Sequence, residues 1–511
     1  MAKRALVSVS DKTGIVEFVS GLQKSGWEII ATGGTKSLLE KNGLSVIDIS
    51  EVTGFPEICD GRVKTLHPKV HGALLGLRDN PEHLKALADN GIGFIDLVCV
   101  NLYPFRETIA KPGVTLDEAI EKIDIGGPSM LRSAAKNYQS VTVVCDPADY
   151  AKVLDEIHTG GNTSQQTRLE LSAKAYTHTA QYDSCIASYM RKQADLPEKL
   201  FLEFDIKQPL RYGENPHQSA KFYAAPEVLP YSVATARQLQ GKELSYNNIQ
   251  DANAALAIVR DFTEPFCVAL KHMNPCGAAQ AETIEKAWQK AYEADSVSIY
   301  GGIVAVNRCL TEEIAMAMKP IFLEIVLAPD YTPEALAILS TKKNLRVLKV
   351  DMTPSDAPVT QYVGVTGGIL VQHQDTQIEK LTDDQVVTNT KPSPEILADM
   401  QFGWNIVKHV KSNAIVVVQG LQTCGVGAGQ MNRVGSAQIA LEQAKARGNC
   451  ERLVLASDGF LPFDDTVELA AKYGVKAIVQ PGGSIRDEEC IKKANEKNII
   501  MLLTGVRHFK H

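Results

Sequence analysis

Short apolar runs alternate with stretches of helical apolar period through the first part of the chain. Residues 5–9, 27–31, 46–49, 97–101 and 141–145 read as buried strands, and residues 14–24 and 35–42 as amphipathic helices between them. Strand and helix in alternation predict a parallel sheet covered on both faces, with ligands at the carboxyl ends of its strands. A long helical stretch over residues 165–191 follows. The polar, Pro-containing segment 192–198 then marks a boundary, giving a first domain over 1–196 and a second over 197–511. Strand-like runs resume at 268–270, 303–306, 325–328, 414–418, 453–456, 477–480 and 499–503. Segments 352–361 and 387–394, rich in Thr, Pro, Ser and Asp, read as surface connections, with an internal boundary at roughly 350–395. No short-period repeat is visible.

Composition narrows this α/β picture. The 511 residues are 44% hydrophobic and 22% charged, the balance of a folded chain with at least two cores. A formal charge of -7 gives no overall attraction to nucleic acid or anionic lipid, although it does not forbid a local cationic pocket. No run approaches the ~20 apolar residues of a membrane span. The N-terminal apolar run ends at Asp11-Lys12, too soon for a signal peptide. The ten cysteines form no CxxC pair, which speaks against a zinc ribbon or a disulfide framework. The expected setting is the reducing cytoplasm, with no nucleic-acid or membrane partner.

Candidate chemistry clusters after strands. Ala31-Thr32-Gly33-Gly34-Thr35 opens a helix with free N–H groups and hydroxyls suited to a phosphate, or is an ordinary turn with a threonine N-cap. Ser8, Ser10 and Lys12 stand at the end of the first strand. Gly61-Arg62-Val63-Lys64-Thr65-Leu66-His67-Pro68 holds two cations and a hydroxyl, suiting an anion better than a core. Asn101 and Tyr103 leave another strand, Asp124 sits beside Gly126-Gly127, and Lys136 adds a cation before the next strand. Further on, Arg211-Tyr212-Gly213-Glu214-Asn215-Pro216-His217-Gln218 is dense in hydrogen-bonding groups. Leu270-Lys271-His272-Met273-Asn274-Pro275-Cys276-Gly277 ends a strand with a group that moves protons near pH 7 beside an ammonium. Pro275-Cys276 resembles the PCxxC of zinc deaminases, but Ala279 occupies the second ligand position and no HxE lies near it, so the zinc site fails. Gly425-Val426-Gly427-Ala428-Gly429 lacks dinucleotide-loop spacing.

In this order, the motifs closely resemble the bifunctional purine biosynthesis family, which joins phosphoribosylaminoimidazolecarboxamide (AICAR) formyltransferase to IMP cyclohydrolase. The most specific pieces are those at 61–68, 123–127, 211–218 and 271–277. The resemblance implies a methylglyoxal-synthase-like parallel-sheet domain, then a formyltransferase region of two cytidine-deaminase-like α/β units. It implies a homodimer with formyltransferase sites at the interface, no catalytic metal, and 10-formyltetrahydrofolate as co-substrate. AICAR, its formylated product FAICAR and IMP would be the other ligands. For formyl transfer, it implies that His272 shuttles the amine proton, Lys271 assists the leaving folate nitrogen and Asn413 orients the formyl group. Arg211, Tyr212, Arg507 and His511 would hold the nucleotide, with Tyr300, Gly301, Glu324, Arg433, Phe460 and Pro462 along the cleft. For ring closure, it implies acid–base or oxyanion roles for Lys64, Tyr103, Asp124 and Lys136. Ser8, Ser10, Lys12, Thr32, Gly34, Thr35, Arg62, Thr65, Asn101 and Gly126 would form the nucleotide loops. Two stretches depart from the family pattern. Asp-Pro-Val-Ser-x-Phe-Gly-Gly is here Asp295-Ser296-Val297-Ser298-Ile299-Tyr300-Gly301-Gly302, and Phe-Phe-Pro-Phe-Arg-Asp is Phe460-Leu461-Pro462-Phe463-Asp464-Asp465.

Overall fold

The computed structural model describes residues 2–226, 228–448 and 451–511; Cys450 lies outside the described residues. The chain divides into two units, ending and beginning at Glu203 and Phe204.

In the first unit, β1 (Arg4–Ser8), β2 (Glu28–Ala31), β3 (Ile47–Asp48), β4 (Leu97–Val100) and β5 (Thr142–Val144) form one sheet in the order β3-β2-β1-β4-β5. Every pairing is parallel; Leu6, for example, lies opposite Ile30 on one side and Val98 on the other. Leu6, Ile30 and Val98 are fully buried because helices cover both faces, as the continuous apolar runs require. Each such side chain contributes about 1.5–3 kcal/mol by leaving water. The third strand is shorter than its apolar pattern: Asp48 caps a helix over Ile49–Thr53, with a reciprocal bond from Glu51, and ends the strand. Helix Gly33–Lys41 starts directly beyond β2, helix Gly126–Lys136 follows β4 after two short helices, and both N-termini lie at the same edge of the sheet. The long helix Gln165–Gln193 packs against the second of them.

The second unit opens with a hairpin of β6 (Asp205–Leu210) and β7 (Ala220–Ala224). A six-stranded sheet follows, made of β8 (Arg237–Gln240), β9 (Phe266–Lys271), β10 (Asn274–Gln280), β11 (Gly302–Val306), β12 (Leu323–Ala328) and β13 (Arg346–Lys349) in the order β10-β9-β11-β12-β13-β8. After an exposed hairpin of β14 (Thr360–Val365) and β15 (Gly368–His373), a second sheet holds β16 (Ile415–Val418), β17 (Thr423–Gly427), β18 (Val454–Ser457), β19 (Ala477–Gln480) and β20 (Ile500–Leu503) in the order β17-β16-β18-β19-β20. The hairpin begins inside the segment expected to be a surface connection.

The two sheets are copies. In both, a helix leads into an antiparallel hairpin, the hairpin's first strand pairs antiparallel with the next, and the two strands after that run parallel to it; the first sheet alone adds β8, antiparallel to β13 at its edge. Equivalent residues keep one spacing through the leading helix and the hairpin, and the spacing widens slightly beyond it. Gly277 and Gly425 both follow a cysteine, and an added Cβ would overlap a helix carbonyl in each case, that of Ala291 or of Ala440. The apolar pattern misses β6, β7, β8, β13, β14 and β15, and with them the hairpin partners β10 and β17. Both are edge strands of mixed composition, and β10 carries Pro275 next to a register shift, where a missing N–H is tolerated.

Candidate functional site

A cavity of about 830 Å³ opens over the carboxyl ends of β1, β2 and β4 in the first unit. It gathers every site residue expected there from the sequence except Lys136. Lys136 is exposed at the far end of the helix whose first residue, Gly126, lines the cavity, about 15 Å of helix away. Thr32 stands at the N-cap position of Gly33–Lys41 but makes no capping bond. Its hydroxyl pairs with Ser8 Oγ at 2.7 Å, so the helix's first N–H groups face the cavity. The Thr35 hydroxyl receives the Val9 N–H at 3.1 Å and Lys12 Nζ at 2.8 Å. Burial draws the Lys12 ammonium below its usual value, and the positive Lys64 adds to this. The Asn101 side chain accepts from the backbone of Ser10 and Asp11 and donates to Asp11 O, pinning the loop after β1.

Asp124 lies on the opposite wall. Its Oδ1 accepts the Gly127 N–H at 2.7 Å, and its own N–H donates to the Tyr182 hydroxyl at 2.9 Å. Burial raises this carboxyl above the usual aspartate value, against N–H groups of Gly127 and Tyr103 and the charge of Lys64 that pull it down. Gly126 and Gly127 are needed here: a Cβ would press on Thr65 Oγ1 at 2.7 Å or on Asp124 Oδ2 at 2.6 Å. Lys64 Nζ is 3.7 Å from Glu57, and Arg62 pairs with Glu121 at the rim. The cavity lining thus includes two helix N-termini, the lysines Lys12, Lys64 and Lys122, and in Asp124 a carboxyl that retains a proton more readily than usual. Tyr182, on a helix read only as scaffold, was not expected at this site; its lone hydroxyl gives no sequence signal.

In the second unit, Lys271 ends β9, and His272-Met273 form the two-residue turn to β10, both with positive φ (52° and 63°). Such a turn normally takes Asn or Gly. Here Asp251, from the helix Tyr246–Val259, accepts the Met273 N–H at 2.7 Å. Lys271 Nζ donates to Tyr300 O at 2.9 Å, which places the ammonium beside Tyr300-Gly301. The Tyr300 ring is exposed and 5.4 Å from Phe322. Glu324, one strand further, is bound to Arg346 at 2.7 Å. Burial pushes the Cys276 thiol up to about 12, so it stays neutral in the hairpin.

The remaining expected residues gather on the second sheet. Asn413 Oδ1 accepts from Arg433 at 2.8 Å, and Arg433 also binds Ser457 Oγ and the buried Asp458. Asp458 receives the Ser412 hydroxyl and the Ala414 N–H and so organises this group, although the sequence singled out only its loop. Phe460 is exposed and Pro462 half-buried just beyond. Arg507 lies over the Phe509 ring at 4.6 Å, and Phe509 is 6.0 Å from His511. The Lys411 N–H donates to Asn274 Oδ1 at 3.0 Å, tying the two sheets together beside the Lys-His turn. Arg211 and Tyr212 lie on an exposed turn, in contact with each other at 5.7 Å.

A parallel sheet with a polar cavity at its strand ends, joined to a duplicated α/β unit with a Lys-His turn, defines a two-part α/β enzyme for small polar substrates. Residues 134–443 match the family described as AICARFT/IMPCHase bienzyme, and residues 14–129 match the MGS-like domain. The chain is 58% identical over 517 positions to the bifunctional purine biosynthesis protein PurH of Streptococcus suis, 57% to that of Bacillus cytotoxicus and 56% over 513 positions to that of Enterococcus faecalis. Each comparison covers 100% of both chains. The chain belongs to the AICARFT/IMPCHase bienzyme family. It is a formyltransferase and a cyclohydrolase, acting in the last two steps of IMP synthesis. The expected fold class stands with it. No described helix is long and apolar enough to cross a membrane.

Proposed function

We propose that ring closure occurs in the cavity of the N-terminal unit, expected over 1–196, and formyl transfer in the remainder, around Lys271-His272. The observation that carries this reading is the convergence of Lys64, Asp124 and two helix N-termini on one cavity. Thr32, Thr35, Lys12 and the N–H groups at Gly34 suit the 5′-phosphate of FAICAR. The carboxamide nitrogen attacks the formamide carbon, and Lys64, Tyr103 and the N–H groups at Gly126 stabilise the oxygen as it gains charge. Asp124 accepts the proton of the carboxamide nitrogen and passes it to the former formyl oxygen, giving a hydroxyl; that hydroxyl then leaves as water with the proton of the former formamide nitrogen, and the ring C=N bond forms. The raised affinity of Asp124 for a proton supports its part in this transfer. Holding both reacting groups in one pose accounts for much of the rate, since oriented systems reach effective molarities of about 10⁵ M or more. Lys136 lies outside this cavity, and no role there is assigned to it.

For formyl transfer the donor is 10-formyltetrahydrofolate. The AICAR amine is a weak nucleophile because its lone pair is delocalised into the ring. His272 takes its proton as the new C–N bond forms, and Lys271 supports protonation of the folate nitrogen as the old bond breaks. Asn413, oriented by Arg433, holds the formyl oxygen. Exposed Tyr300, Phe322 and Phe460 offer aromatic faces for the pteridine. Arg211, Tyr212, Arg507 and His511 hold the nucleotide. The enzyme acts as a cytoplasmic homodimer, and the exposed apolar Tyr362, Leu370 and Val371 of the β14-β15 hairpin support a second copy.

Purified enzyme supplied with AICAR and 10-formyltetrahydrofolate is expected to yield IMP. Lys64→Ala is expected to stop at FAICAR, with ring closure slowed at least about 10²-fold and formylation unchanged. Loss of both activities in a folded variant would show that the two sites are not separate.

A further inference from the structure

The C-terminal tail carries Arg507 and His511, and between them His508 is 1% exposed. Its Nδ1 is 2.5 Å from Asp375 Oδ2 and its Nε2 is 2.9 Å from Glu379 Oε2. A neutral imidazole has one N–H, so it would aim a lone pair at one of these carboxylates; only the imidazolium satisfies both. The two carboxylates belong to a strap fixed along one face of the helix Pro394–Val407 and the residue after it. Gln401 donates to Glu379 O, Trp404 Nε1 to Glu379 Oε2 at 2.9 Å, and Lys408 Nζ to Gln377 O at 3.0 Å. From the other side, the His508 N–H donates to Asp458 O at 3.0 Å, and Asp458 is the residue that holds Arg433. Ser412 and Lys510 add two bonds, Ser412 N–H to Lys510 O at 2.8 Å and Lys510 N–H to Ser412 Oγ at 3.2 Å.

We propose that His508 is a positioning residue for formyl transfer: as an imidazolium clamped by Asp375 and Glu379, it locks the tail so that Arg507 and His511 face the AICAR site. This rests on the reading that Arg507 and His511 bind the nucleotide. Burial opposes the charge, but the hydrogen bonds and charges of Asp375 and Glu379 outweigh it and hold His508 above the ordinary histidine value. The clamp is therefore complete below the ordinary histidine value and releases as pH rises through the raised one. Among the described residues, Lys408 also bears on the clamp, through Asp375. Lys510 on the same tail is drawn down to about 8 by burial, with Lys411 and Lys408 adding to it, and neither carboxylate of the clamp contributes.

The experiment measures KM for AICAR and kcat of formyl transfer from pH 6 to 9 in the full-length enzyme, with cyclisation of supplied FAICAR as the internal reference. Wild type is expected to show a KM that rises on the alkaline side. Glu379→Gln keeps the tryptophan contact and is expected to move that rise to lower pH by about one unit, because one carboxylate no longer favours the imidazolium. His508→Gln is expected to raise KM about 10-fold and flatten its pH dependence over this window, with kcat and cyclisation little changed. A Glu379→Gln profile superimposable on wild type overturns the proposal, because titration of Lys510 alone would leave it unmoved. Arg507→Ala separates the two levels. If it leaves KM for AICAR unchanged, the nucleotide-binding reading of the tail fails. If it raises KM while His508→Gln does not, that reading stands and the clamp fails.

Discussion

The two copies of the α/β unit in the second half share a backbone and differ in chemistry at one turn. In the first copy the turn is Lys271-His272-Met273-Asn274; in the second it is Gln419-Gly420-Leu421-Gln422. Both turns use two positive-φ residues, His272 and Met273 against Gly420 and Leu421. Both are capped by a carboxylate from the preceding helix, Asp251 to the Met273 N–H and Asp399 to the Leu421 N–H, each at 2.7 Å. The second copy places glycine first in the turn, where positive φ carries no steric cost. The first copy accepts a histidine in that strained place. Strain kept in one copy and relieved in the other marks the turn at which function overrides local preference.

The largest break in this comparison is His272→Ala. It is expected to lower formyl transfer about 10²–10⁴-fold by removing the proton acceptor, while cyclisation of supplied FAICAR continues. Gly420→Ala, at the matching position, is expected to cost about 1 kcal/mol of stability through its positive φ and to leave kcat intact. Single-turnover formylation of both variants distinguishes them. Equal losses would mean that the Lys-His turn acts only through folding.

A smaller effect sharpens the role of the cap. Asp251→Ala and Asp399→Ala each leave one turn N–H without its acceptor, at about 1–3 kcal/mol. Similar drops in Tm are expected. Only Asp251→Ala should also slow formylation, by about 10–100-fold, since loosening the turn displaces His272. Should Asp399→Ala slow the reaction as much, the second turn would belong to the site too.

The repeat is plain once the strands are paired, yet it is nearly invisible in the sequence. What it preserves is a pair of glycines under helix carbonyls, a capping Asp and a strand order, while the side chains between have diverged. Central strands such as β16 and β4 were legible because burial on both faces demands a continuous apolar run, whereas β13, with Arg346 and Lys349 at its ends, was not. Strands β10 and β17 were not either, since each ends its own sheet and meets the other through only an isolated bridge, Ala279 to Gln422, and Pro, Cys and Gly are tolerated there. The cavity residues of the first unit could be read because they sit in short loops, after strands for Ser8, Thr32 and Asn101 and beside glycines for Lys64 and Asp124. Asp251, Asp458, Tyr182 and His508 could not. Each acts through a partner brought near only by the fold, and a lone Asp, Tyr or His in a helix or tail carries no local pattern.

The smallest effect probes the seam between the copies. Asp261 and His409 occupy equivalent positions after the two repeated helices and meet there, His409 Nε2 to Asp261 Oδ2 at 2.6 Å, with Lys408 Nζ on the same oxygen at 2.7 Å. Burial alone would raise the Asp261 carboxyl, but its bond to His409 and the charge of Lys408 hold it below the usual range. Burial lowers His409 to about 4, against the pull of Asp261, so the imidazole is neutral at pH 7 and donates one N–H. A histidine depressed on folding takes up its proton first in the unfolded chain. Its contribution is therefore fully present above about 6.5, shrinks as pH falls below that value, and is exhausted near 4. Between pH 7 and 6 the loss is under about 1 kcal/mol. His508, raised on folding, titrates with the opposite sign, so the total slope mixes the two. His409→Gln isolates one of them, because the amide keeps an N–H for Asp261 but cannot take a proton. Denaturation curves at pH 7 and pH 6 should show wild type losing more stability than the variant over that interval. Identical losses would mean that His409 is already charged at pH 7 and that the seam is an ion pair, not a neutral hydrogen bond beside the Lys408–Asp261 pair.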